Sequence, residues 1–244
     1  MSTNMSEPVK LPIVVIACRV LQSSLAQLLP EQMSRNVKFM DYGLHRVPMK
    51  LTDALQEALD DVSEPSLVIL GYGLCGNGLR GLRAGQHTLL VPRTDDCIAI
   101  LLGSYKAYVR EFSAVPGTYY LTKGWLESGS NPLQEYHEYS ARYKHADVMW
   151  ILDQQYQHYE RLALVASDPV EMALYRDQAQ AVAHFCQRWG MRYEEILGSD
   201  DYVRRLIDAA GALSQNGRAL PTGLAADLVL IPPGGEIRQE MFMR

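Results

Sequence analysis

No apolar run in this 244-residue chain approaches the ~18 residues that a membrane-crossing helix needs. Residues 1–10 are short and polar, without the charged-then-apolar pattern of a secretory leader. The expected location is therefore cytoplasmic, where disulfides are rare and clustered cysteines lean towards metal or redox roles. Positive charge is also scarce. Lys and Arg number 23 against 28 Asp and Glu, for a net charge of −5. That balance argues against nucleic acid or an anionic membrane as the main partner. Neither CxxC nor HExxH occurs, so local spacing reveals no metal motif. Internal repeats, low-complexity tracts and long linkers are missing too. What is present is ordinary: 48% hydrophobic and 21% charged residues, enough to bury a sizeable core.

Short apolar runs bounded by Gly, Pro or Asp read as buried strands at Pro12–Ala17, Val37–Tyr42, Leu67–Leu70, Thr88–Val91, Thr118–Leu121, Leu162–Ala166, Arg192–Ile196 and Leu228–Ile231. Helical spacing separates many of them, as at Pro48–Val62, Pro169–Trp189 and Asp201–Leu213. The alternation predicts an α/β fold, with a mainly parallel, Rossmann-like sheet flanked by helices and a smaller second α/β lobe. The expected division is a flexible 1–10, a first lobe over 11–125, a Tyr- and His-rich helical connector over 126–160 and a second lobe over 161–244. One continuous domain is the alternative.

Three of the four cysteines occupy the same place in this scheme. Cys18, Cys75 and Cys97 each follow a predicted strand, and in a parallel sheet those ends share the edge where ligands bind. Three converging thiolates would leave a fourth position open, which suits catalytic zinc or an iron–sulfur cluster. The plainer alternative is that cysteine packs near strand ends as a small hydrophobe. Cys186 belongs to that class, because it shares a helical face with Met172, Ala179, Val182 and Ala183.

Residues 71–85 contain six glycines in fifteen residues, too many for a stable helix throughout. Gly71-Tyr-Gly-Leu-Cys-Gly76 matches G-x-G-x-x-G after a strand, with Asp95 roughly where a ribose-binding acid belongs. The following residues lack the apolar periodicity of a dinucleotide-fold helix. Gly73, Gly76, Asn77 and Gly78 are candidate substrate-binding positions, and Arg93 and Asp95 are candidate catalytic residues. Asp95 or Asp96 would cap a helix starting near Cys97. Thr122 and Trp125 could line a pocket, His137 is a candidate fourth ligand, and Glu236 lies in a glycine-rich turn.

With Ala17-Cys18, Gly71–Gly78, Pro92-Arg-Thr-Asp-Asp-Cys97 and Pro116–Trp125 assembled, the sequence resembles a prokaryotic family known as domain of unknown function sixteen thirty-eight. The resemblance covers roughly residues 12 to 235. It carries no catalytic assignment. What it implies is a setting beside corrinoid-dependent methyltransferases in one-carbon metabolism, although the chain lacks the Asp-x-His-x-x-Gly corrinoid motif.

The expected function is thus a cytoplasmic metalloprotein, enzyme or accessory factor, with zinc or an iron–sulfur cluster on Cys18, Cys75 and Cys97. It would act on a small molecule, with corrinoid methyltransferase proteins as possible partners. Two alternatives come from other classes: a metal-free nucleotide- or anion-binding module using Gly71–Gly78, and an interaction subunit docking through the Tyr-rich helices at Pro132–Tyr159.

Overall fold

The computed structural model describes residues 11–216, 220, 223–224 and 226–244, save the side chains at 46 and 216. The N-terminal segment 1–10, expected to be flexible, lies outside them. In chain order the first elements are β1 (Ile13–Cys18), α1 (Gln22–Leu28), α2 (Glu31–Ser34), β2 (Val37–Met40), α3 (Pro48–Asp60), β3 (Leu67–Gly71), β4 (Thr88–Pro92) and α4 (Ile98–Leu101). Then come α5 (Tyr105–Ala114), β5 (Thr118–Leu121), α6 (Lys123–Glu127), α7 (Pro132–Ser140), α8 (His145–Tyr156), β6 (Arg161–Ala166), α9 (Pro169–Cys186), β7 (Arg192–Leu197), α10 (Asp201–Asn216) and β8 (Leu228–Ile231). No helix among the described residues is long and apolar enough to cross a membrane.

Two α/β units result. The first joins the described residues up to Ile100 with those from Asp201 to Arg244; the second is the continuous stretch Leu101–Asp200. This division differs from the one expected at residues 125 and 160. Strand β5, assigned to the first lobe by its position, pairs with β6, and β8 returns to the first unit by pairing with β4. Hydrogen-bonded pairing between distant segments decides such boundaries, and a linear sequence does not display it.

The first unit holds a five-stranded sheet in the order β2-β1-β3-β4-β8. All neighbours run parallel except β4 and β8, which are antiparallel. Every residue of β3 is buried, as an unbroken apolar run between helical layers requires. Helix α3 begins with Pro48 in its first turn, where a missing N–H costs nothing, and buries Leu51, Leu55, Ala58 and Leu59.

The second unit holds the parallel sheet β5-β6-β7. Leu162 and Leu164 of β6 share a core with Val148 and Leu152 of α8 and Cys186 of α9. Cys186 is fully buried there, as the helical pattern requires. Tyr136, Tyr139 and Tyr159 from the Tyr-rich region pack against the same core, so much of that aromatic surface is turned inward.

Helix α9 is capped by Asp168, whose Oδ1 accepts from the Val170 and Glu171 amides at 2.7 and 2.9 Å. The Glu171 amide, more than any other neighbour, holds this carboxyl below the ordinary aspartate value. Asp168→Ala should cost about 1 kcal/mol at neutral pH. Because the folded-state pKa is depressed, that contribution is complete above the unfolded value and disappears as pH falls through the folded one. Urea melts at pH 7 and pH 2.5 provide the check; an equal loss at both would show that the charge-assisted cap is not the cause.

Candidate functional site

Strand order locates the site. From β1 the chain crosses to β2 on one side and then returns past β1 to β3 on the other. The crevice between the C-terminal ends of β1 and β3 is therefore a topological switch point, where open α/β sheets bind ligands. Cys18 is the last residue of β1. The register pairs Ala17 with Gly71, so Cys18 and Tyr72 leave the sheet side by side. The approach is close: a Cβ on Gly71 would stand 2.5 Å from that of Ala17.

Two loops then run along each other. Leu74 and Cys75 donate their amides to the carbonyls of Thr94 and Asp95, each at 2.8 Å. Across the same contact, a Cβ on Gly73 would stand 2.6 Å from the carbonyl carbon and oxygen of Asp96. These contacts bring Cys75 beside Cys97. The chain turns left-handed through Cys75, Gly76 and Asn77, at φ values of 49°, 62° and 72°. Glycine takes that conformation freely and asparagine tolerates it, whereas cysteine is strained. Such strain marks a position held by its surroundings.

The backbone amides of Gly73 and Cys97 pull the Cys75 thiol towards its thiolate. Burial first, then the neighbouring Cys18 and Asp96, nonetheless keeps the Cys75 thiol protonated well above its ordinary value. Cys97 is raised by burial and then by Cys75, Asp96 and Cys18. Tyr72 is raised by burial and then by Cys18, Cys75, Cys97 and Asp41. Each of the three thiols therefore lies within electrostatic reach of the other two and of the Tyr72 hydroxyl. Among the described residues, no three His, Cys, Asp or Glu side chains stand in metal-holding geometry. The thiols are neighbours, with donor chemistry suited to a soft cation, but their sulfurs are not drawn onto one point.

Tyr72 is the residue that sequence reasoning passed over. It is only 2% exposed, yet its hydroxyl has no hydrogen-bond partner among the described residues. An aromatic residue at the end of a buried strand reads as core. Only the β1–β3 register reveals its place beside Cys18.

The family model described as "Protein of unknown function (DUF1638)" matches residues 39–207. The chain belongs to that family. No curated protein and no solved structure matches it. The part of the chain matched by the DUF1638 model includes Tyr72, Cys75 and Cys97 and reaches into both units, while Cys18 precedes it.

The remaining candidate residues are distributed as follows. Asp95 is exposed, and its carbonyl anchors Cys75. Asp96, not Asp95, caps α4, accepting from the Ile98 amide at 2.8 Å. Arg93 donates Nε to the Met241 carbonyl at 2.9 Å and Nη2 to that of Met243. Its guanidinium thus clasps the segment after β8. Gly76 and Asn77 are exposed beside the half-exposed Cys75, and Gly78 packs closely on Leu51. Thr122, Trp125 and His137 belong to the second unit. Thr122 is buried with an unpartnered hydroxyl, Trp125 packs on the core of that unit, and His137 is exposed on α7.

Glu236 is exposed and bridges to Arg83, where the back of the glycine loop zips onto residues 234–237. No helix follows Gly76; the chain makes turns until β4. The G-x-G-x-x-G reading therefore lacks the helix N-terminus that would receive a pyrophosphate. The amides of Leu74, Cys75 and Gly78 are already bonded within the two loops and that of Tyr72 to Leu70 of β3, which commits them away from an anion.

Gly73 is the tightest point of the loop pair. Gly73→Ala should force the 73–75 and 94–97 loops apart at an overpacking cost of about 1–3 kcal/mol. Thermal melting should register this as a fall of several degrees, roughly 2–4 °C per kcal/mol. An unchanged melting temperature would mean that the loops yield without strain.

Proposed function

We propose that Cys18, Cys75 and Cys97 hold a soft metal centre, a zinc ion or an iron–sulfur cluster, at the switch point of the first sheet. What supports the reading is that three cysteines at or after three separate strand ends act electrostatically on one another, with the buried, unpartnered Tyr72 hydroxyl next to Cys18 in the register. Binding would draw the sulfurs to ~2.3 Å from a shared centre and displace their protons. The Gly73 and Cys97 backbone works towards the Cys75 thiolate against the larger effect of burial, which a bound cation would have to overcome. Small molecules would approach past the exposed Gly76 and Asn77.

When bound, zinc would supply Lewis-acid activation of a thiol or water, and a cluster would supply electron transfer or an open iron. Three protein ligands leave the position such chemistry needs. The committed amides of the glycine loop favour this reading over an anion cradle. An enzyme or accessory factor of one-carbon metabolism, acting with corrinoid methyltransferase proteins, is the setting proposed with it, on the strength of the sequence resemblance.

Metal analysis of protein purified without oxygen, together with its absorption spectrum, tests the reading. Stoichiometric zinc without visible bands, or iron and sulfide with visible charge-transfer bands, is the expected result. Metal at background level in such a preparation would reject it.

A further inference from the structure

Residues 234–244, which follow β8, touch both loops of the switch point. The first part of this segment is zipped to the glycine loop. The Gly81 and Ala84 amides donate to the carbonyls of Ile237 and Gly235, each at 2.9 Å. The Ile237 and Gly234 amides donate in return to Leu82 and Gly85, at 2.9 and 2.8 Å. The last part meets the other loop at its first residue, Arg93. That guanidinium holds the carbonyls of Met241 and Met243, and Nη2 of Arg244 donates to the Arg93 carbonyl at 2.8 Å. The next two residues, Thr94 and Asp95, are the ones whose carbonyls receive the Leu74 and Cys75 amides. One segment therefore braces both loops.

The brace is unevenly fastened. Within 238–244 the one buried side chain is Phe242, at 3% exposure. Beyond that anchor, the Arg93 clasp and the pairing of Arg244 with Asp227 at 3.1 Å fasten it. A stretch with so little buried surface opens more readily than the strands beside it. We infer that 238–244 is a releasable strap. Fastened, it fixes Arg93 and keeps the 94–97 loop on the 73–75 loop. Released, it lets the two loops part and opens the way to Cys97, which is 8% exposed. The strap governs access to the crevice whatever binds there, so it goes beyond the metal reading and does not depend on it.

The test compares the full chain, reduced and treated with chelator, with three variants. Arg93→Met removes the clasp, Phe242→Ala removes the buried anchor without touching either loop, and Arg244→Met is a milder change. Amide hydrogen exchange, read residue by residue, reports how often each bond opens. In Arg93→Met the Leu74 and Cys75 amides should exchange about ten- to a hundredfold faster, the factor that a hydrogen bond to a charged group carries. Phe242→Ala should fall in the same range, because release is one event whichever fastening is lost. Arg244→Met should give about two- to tenfold. Labelling of Cys97 by iodoacetamide should rise in step, while the Val68 and Ile69 amides inside β3 stay within about threefold of wild type.

Wild-type exchange at Leu74 and Cys75 in either of the first two variants overturns the inference. In Arg93→Met it would mean that the clasp holds nothing; in Phe242→Ala, that Arg93 acts within its own loop and not through the strap. Faster exchange without faster labelling of Cys97 overturns it as well, because release would then not open the way to the thiol. An equal rise at Val68 and Ile69 would show a loss of stability throughout the sheet in place of a local release, with the same consequence. Should Arg93→Met or Phe242→Ala fail to fold, Arg244→Met decides alone, and unchanged exchange at Leu74 and Cys75 is then the overturning result.

Discussion

Serine at Cys18, Cys75 or Cys97 is expected to reduce bound metal to a small fraction of the wild-type content, whereas Cys186→Ser keeps the full complement. A hydroxyl is a poor ligand for a soft metal, and a site with three protein ligands has none in reserve. Cys186 is fully buried on α9 in the second unit, among Val182, Ala183 and Met191. Its substitution should appear only as a stability loss of roughly 1–3 kcal/mol, the cost of a hydroxyl placed among apolar neighbours. Metal content and melting temperature, measured on all four variants purified without oxygen, separate the two classes. Metal retained by all four, or lost equally with Cys186→Ser, would defeat the assignment. The comparison is sharp because burial alone does not distinguish Cys18, Cys97 and Cys186.

The second large effect is expected at the opposite end of the chemistry, in a purely structural ion cluster. Arg161, at the start of β6, is 4% exposed. Its Nε donates to Thr118 at 2.9 Å, Nη1 to Glu194 at 2.8 Å and Nη2 to Glu111 at 3.3 Å. One guanidinium thus ties together β5, β6, β7 and α5. Arg161→Met should cost about 3 kcal/mol, at the low end for a broken buried pair because Glu194 is partly solvated. The melting temperature should fall by about 6–12 °C.

Arg192 first, and Arg161 next, hold Glu194 below the ordinary glutamate value of 4.5. A depressed folded-state pKa means that stabilisation is complete above the unfolded value and is lost as pH falls through the folded one. The gap between wild type and Arg161→Met should therefore narrow on acidification below the ordinary carboxylate range. A gap unchanged between pH 7 and pH 3 would assign the loss to packing of the arginine stem instead.

Both sites bear on what could be read in advance. Thr118–Leu121 and Leu228–Ile231 were legible to the residue, because each is a short apolar run between turn signals. The same local signals placed the three cysteines at strand ends: Cys18 closes β1, and Cys75 and Cys97 follow β3 and β4. Strand direction and partner were not legible. Nothing local to Leu228–Ile231 distinguishes an antiparallel edge strand from another parallel one. Tyr72 was hidden for the related reason that its neighbours come from register. Arg93, chosen as a polar residue on a strand-end loop, spends its guanidinium on carbonyls about 150 positions further along the chain. Arg161, a strand-initial arginine, revealed none of its three partners, which come from three other elements. Periodicity encodes which face is buried; convergence of distant loops is encoded only in the assembled sheet.

The hydrogen bond from the Ser199 amide to the Leu101 carbonyl, 3.0 Å long, joins the two ends of the second unit. It bears on how the first unit can form. Pairing β4 with β8 joins residues at least 136 positions apart, Pro92 with Leu228, a costly search for a flexible chain. Once residues 101–200 have folded, their ends lie one hydrogen bond apart, and most of that span no longer has to be searched. The last strand then returns to its sheet across a short tether, so the order of events in folding favours the inserted unit first and the sheet that carries the cysteines second.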